Sequence, residues 1–118
     1  MKTLNPFPLD LDAFRGWLHT AQRPGNIAGI ATNDTACPLS SFLHDTYGFA
    51  WAVHFADYER IDPLSSDDEP HRLYALPAWA RAFVRRTDLA MDCETAPVPF
   101  EQALLLLDEA CFETQKEV

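Results

Sequence analysis

The chain reads as an α+β fold, about four helices packed on a small antiparallel sheet whose core is a hairpin of 49–61 with 71–76. Three observations predict it. Apolar residues recur at helical spacing in separate stretches, Phe49 to Ile61 concentrates β-favouring side chains, and proline, glycine and clustered charges punctuate the segments between. A chain of 118 residues is the size that one hydrophobic core serves, so a single domain over 1–118 is expected. Apolar residues make up 47%, with eight Phe, three Trp and three Tyr. That is enough to offset the entropy of ordering the chain, and global disorder is excluded.

In chain order, Asp10 or Asp12 can cap a first helix, because a carboxylate accepts the unpaired N–H groups of a first turn. Leu11, Phe14, Trp17 and Leu18 fall on one of its faces, and Arg23-Pro24-Gly25 ends it. Asn26 to Thr32, short, apolar and broken by glycine, fits a brief strand or an extended linker. Asp34 or Thr35 followed by Pro38 marks a second helix, since proline tolerates the first turn, where its missing N–H has no partner anyway. Leu39, Phe42 and Leu43 face inward there, and Gly48 stops it.

Phe49 to Ile61 is expected as one strand, in which Trp51, Val53, Phe55 and then Tyr58 partly alternate. Asp62-Pro63 closes it, and Ser65 to Pro70 reads as a charged, exposed loop. Arg72 to Leu76 returns antiparallel to it. Pro77 opens a third helix, with Trp79, Ala80, Phe83 and Val84 as its buried stripe and Arg81 and Arg85 on a neighbouring face. Thr87 to Pro99 is polar, holds two prolines, and reads as a connector. The last helix runs from Pro99 to Lys116. Its leucines, Leu104 to Leu107, cover more than half the circumference, which makes it central in the fold or shared with a partner.

Charge and hydropathy narrow the function classes. Eighteen acidic against nine basic residues give a net charge of −9, which repels phosphate backbones and anionic headgroups, so no direct nucleic-acid binding is expected. The longest apolar runs, Phe49 to Val53 and Ala103 to Leu107, are far shorter than the roughly 20 residues a bilayer span needs. Met1 to Leu11 lacks the continuous apolar stretch of a secretory signal. Cys37, Cys93 and Cys111, odd in number and not closely paired, suit a reducing compartment, and a cytoplasmic location is expected.

Catalytic and cofactor signals are sparse. Cys37, at the start of a helix, feels the positive end of the helix dipole, which favours thiolate and makes it the one candidate nucleophile, but the favoured reading is a small apolar residue tucked beneath the helix entry, as free cysteines commonly are. His44 lies two turns along and cannot meet it, so a base would have to come from His19, His54 or His71. Cys37, His44, His54 and His71 lack the close pairing of structural zinc ligands, and the four glycines fit no phosphate loop, so no metal and no cofactor is expected. Asp67, Asp68 and Glu69 form an acidic run that reads as solvated, and Arg81, Arg85 and Arg86 form a basic cluster that more readily pairs with carboxylates than with phosphate.

Two motifs carry a resemblance. Cys37-Pro38-Leu39-Ser40 leading to Leu43, and Leu76-Pro77-Ala78-Trp79 leading to Phe83 and Asp88, are followed by Pro97-Val98-Pro99-Phe100. Their order and spacing over 37–100 resemble a loose group of short, uncharacterised proteins of bacterial and phage genomes. The resemblance brings no activity, cofactor or catalytic residue, and it points toward an accessory protein of a mobile element or defence locus.

Three functional readings follow. The first is a small non-enzymatic interaction protein, an accessory or regulatory subunit that docks on a larger protein or on itself. Leu105, Leu106, Arg81, Arg85, Asp67, Asp68 and Glu69 are its candidate partner-binding residues. The second is an acidic inhibitor that imitates nucleic acid. The third is a thiol enzyme built on Cys37.

Overall fold

In the computed structural model, residues 9–21, 26–48, 50–61, 73–92 and 94–115 are described. They form α1 (Leu11–Thr20), β1 (Ile27–Ile30), α2 (Pro38–Tyr47), β2 (Ala50–Val53), β3 (Asp57–Ile61), β4 (Leu73–Ala75), α3 (Ala78–Ala90), β5 (Pro97–Pro99) and α4 (Phe100–Gln115). The class is α+β, with four helices and two small antiparallel sheets, one ordered β2-β3-β4 and the other pairing β1 with β5.

The helices start and stop where local chemistry directs. Asp10 caps α1, its carboxylate accepting the Ala13 N–H at 2.8 Å. Pro38 occupies the first turn of α2, with Cys37 as the residue before it. Gly48 closes α2 at φ 76°, a left-handed conformation that costs glycine little. Among the described residues, no helix is long and apolar enough to cross a membrane.

Two expectations about the strands are corrected. The segment 49–61 is not one strand but a tight hairpin, β2 and β3, in which the His54 N–H donates to the Asp57 carbonyl at 2.8 Å. The turn after Val53 breaks the alternation, so Phe55 points into solvent at 80% exposure instead of joining Trp51 and Val53 inside. β4 then pairs with β3, opposing Tyr58 to Tyr74. The expected return strand is thus present over 73–75, while 71–72, the loop 62–70 and Phe49 lie outside the described residues; α1 stops at Thr20 with Ala21 as its cap, short of the end expected at 23–25.

The second correction concerns 87–99. α3 runs on to Ala90 with Thr87 buried, its hydroxyl donating to the Phe83 carbonyl at 2.7 Å. Pro97 to Pro99 is a strand against β1, with Pro99 opposite Ile27 and Val98 opposite Gly29. Proline costs a strand only its donor, and β5 has a single neighbour in its sheet, so an edge accommodates both prolines.

The core joins all four helices to the sheets. Phe14, Phe42, Phe83, Leu39, Leu43, Tyr58, Val98 and Leu107 are among its fully buried residues. Tyr58 reaches it from β3, its oxygen accepting the Leu9 N–H at 3.2 Å, and burial pushes its pKa up to about 12. α4 packs along α3, and Arg86 bonds Glu113 across that seam at 2.9 Å.

β1 passes unusually close to the start of α2. A Cβ added at Gly29 would lie 2.4 Å from the Pro38 nitrogen and 2.7 Å from the Ala36 oxygen, both backbone atoms that cannot swing away. Gly29→Ala is therefore expected to lower the unfolding free energy by about 1–3 kcal/mol, as overpacked sites do. Gly16→Ala on α1, where an added Cβ meets nothing within 4 Å, is expected to raise it by about 0.5–1 kcal/mol through helix propensity. Urea titrations followed by circular dichroism measure both shifts, and equal effects would contradict the close approach.

Candidate functional site

Helical periodicity and the core together decide which face α3 leaves open. Ala80, Phe83 and Thr87 turn inward, so Ala78, Arg81, Arg85 and Leu89 share the outer stripe. That stripe forms one wall of an open groove of about 940 Å³. Thr32, Asn33, Asp34 and Cys37 of the β1–α2 segment, Val53, His54 and Phe55 of the β2–β3 turn, and Glu113 and Thr114 of α4 also line it. Much of the wall is apolar or small, and Phe55 and Leu89, 80% and 62% exposed, stand at it as large apolar side chains in water.

The loop wall is tied in place. The Asp34 carbonyl accepts the Val53 N–H at 2.8 Å and the Ser40 hydroxyl at 2.6 Å. Thr32 sits at φ 59°, a left-handed conformation that a β-branched residue rarely adopts and that costs about 1–3 kcal/mol. Its side chain is bonded to that of Thr95 at 2.9 Å, and its backbone N–H donates to the Asp88 carboxylate. Burial raises the Asp88 pKa above the ordinary carboxylate value, against that hydrogen bond.

Cys37 and His54 line the same groove, yet they do not form a nucleophile and base. The His54 ring lies between two carboxylates, with Nε2 3.2 Å from Glu59 and Nδ1 3.5 Å from Asp34. The Cys37 sulfur lies 3.3 Å from the Ser40 hydroxyl, which also donates to the Asp34 carbonyl at 2.6 Å. Burial works against the helix start here. Burial pushes the thiol pKa up, outweighing the Ser40 hydroxyl and the N–H groups of Ser40 and Leu39, which pull it down.

The remaining candidates divide by place. Arg81 and Arg85 both line the groove; Arg85 and Arg86 share Glu113, and Glu109 lies 3.8 Å from Arg86. Leu105 is outside the groove on the outer face of α4 at 64% exposure, one helical stripe with Phe112. Leu106 is corrected from surface to core, 7% exposed, because adjacent helical positions point about 100° apart. Asp67, Asp68 and Glu69 lie outside the described residues. No cluster of three or more metal-ligating side chains occurs among the described residues.

Sequence reasoning missed Phe55, Leu89 and Asp88. Leu89 was within reach, since helical phase puts it with Arg81 and Arg85 and off the Trp79–Phe83 stripe. Phe55 was not, because the turn that expels it leaves no proline or glycine mark in Val53 to Asp57. No protein-family model, curated protein or solved structure matches the chain.

A sulfur held protonated by burial reacts slowly with an alkylating agent. Cys37 in the native protein is expected to take up iodoacetamide at neutral pH more slowly than the same residue in urea, and to gain rate only at alkaline pH. Peptide mass spectrometry, resolving Cys37 from Cys93 and Cys111, reads both rates; a faster native reaction would revive a catalytic thiol.

Proposed function

We propose that the chain is a small interaction protein, an accessory or regulatory subunit that receives a protein partner in the groove along α3. One observation carries this reading: two large apolar side chains, Phe55 and Leu89, stand in water beside a groove with apolar and small side chains in its walls and charges of both signs. Interfaces draw on such anchors, and isolated charges around them confer orientation more than affinity.

Chemistry at the same place is disfavoured on geometric grounds. Burial raises the Cys37 pKa, its sulfur has the Ser40 hydroxyl at 3.3 Å, and both imidazole nitrogens face carboxylates. The acidic residues that are described serve local duties: Asp10 caps α1, Asp108 pairs with Arg15, and Glu113 holds two arginines. Such scattered use of carboxylates does not favour mimicry of a phosphate backbone.

Affinity isolation of the tagged protein from its source cells, with quantitative mass spectrometry, tests the reading. A copurifying protein, whether another gene product or an untagged copy of this chain, is expected with the wild type and with Leu105→Ser. Phe55→Ser is expected to reduce it by about tenfold or more, the loss of one well-placed anchor. Equal recovery with Phe55→Ser would reject the groove as the binding surface.

A further inference from the structure

The α3 wall of the groove is complementary to itself. Arg81 is exposed and has no ion pair among the described residues. Asp88, partly buried, accepts the Thr32 N–H but has no cationic partner among the described residues, and burial raises its pKa. The two lie two turns apart on one helix, about 10 Å along its axis, with Arg85 between them. A charge of each sign at that separation, both facing one groove, fits neither a purely acidic nor a purely basic ligand.

Resting on the reading that a protein occupies this groove, we propose that the occupant is a second copy of this chain. The two α3 helices run antiparallel across a twofold axis, so that Arg81 of each protomer meets Asp88 of the other. Twofold symmetry makes each contact twice, and this pairing supplies the cation that Asp88 lacks. The same alignment brings the exposed Leu89 of one copy to the first turn of the other's α3, about 3 Å along the axis from the small Ala78. At the axis Arg85 approaches its own copy, but Glu113 already holds that guanidinium, and Glu109 balances Arg86 beside it.

Charge exchange tests the geometry. In sedimentation velocity over micromolar concentrations, the purified wild type is expected at twice the 13.3 kDa of one chain. Arg81→Glu and Asp88→Arg are each expected to weaken self-association by tenfold or more. An equimolar mixture of the two restores both opposite-charge pairs in a mixed dimer, so it is expected to regain the doubled mass, which also shows that both variants are folded. A monomeric wild type, single variants that associate like the wild type, or a mixture that stays monomeric would each overturn the proposal. A monomeric wild type whose cellular partner is still lost with Phe55→Ser would overturn only the second copy and leave the groove as the site of a different protein.

Discussion

Phe14 is the contact on which the arrangement of the helices depends. Its ring, fully buried, meets Trp17, Phe42, Trp79 and Phe83 with centroid separations of 5.3 to 6.0 Å, tying α1, α2 and α3 at one point. Aromatic pairs of this kind contribute about 0.5–1.5 kcal/mol each beyond the area they bury. Their larger effect here is on rotation. Once Phe83 and Trp79 face Phe14, the helical repeat leaves α3 no choice about which stripe faces out, and that stripe is the groove wall.

The opposite wall is held by backbone rather than by side chains. Gly29 lets β1 come within van der Waals range of the peptide that starts α2, and the Ile30 N–H donates to the Ala36 carbonyl at 2.8 Å. The chain then turns through Thr32 in a strained conformation and presents the Asp34 carbonyl to two donors. Moving such a wall would break several hydrogen bonds together. A preformed surface binds without the entropy cost of ordering loops, which suits recognition.

Electrostatics in this acidic chain are mostly local. Arg15 with Asp108 joins α1 to α4, and the arginines of α3 engage Glu113 and Glu109 along the α3–α4 seam. These largely solvent-facing pairs contribute little stability individually. Arg81 and Asp88 stand at the groove outside these arginine–carboxylate pairs, and Asp34 faces it beside His54.

The sequence by itself determined the four helices and most of their inward faces, because Phe14, Leu18, Leu39, Phe42, Leu43 and Phe83 recur at helical spacing and Asp10, Pro38, Gly48 and Pro77 mark the ends. It also pointed to Cys37, Arg81 and Arg85, three side chains that the fold brings to one groove. The split of 49–61 into two strands, the pairing of Pro97–Pro99 with β1, and the burial of Leu106 beside an exposed Leu105 were decided only by tertiary structure. The physical reason is common to all of them. Helix phase and caps are set by neighbours a few residues away, whereas strand pairing, the desolvation that raises the Cys37 pKa and the gathering of a groove depend on surfaces that meet only when distant segments pack.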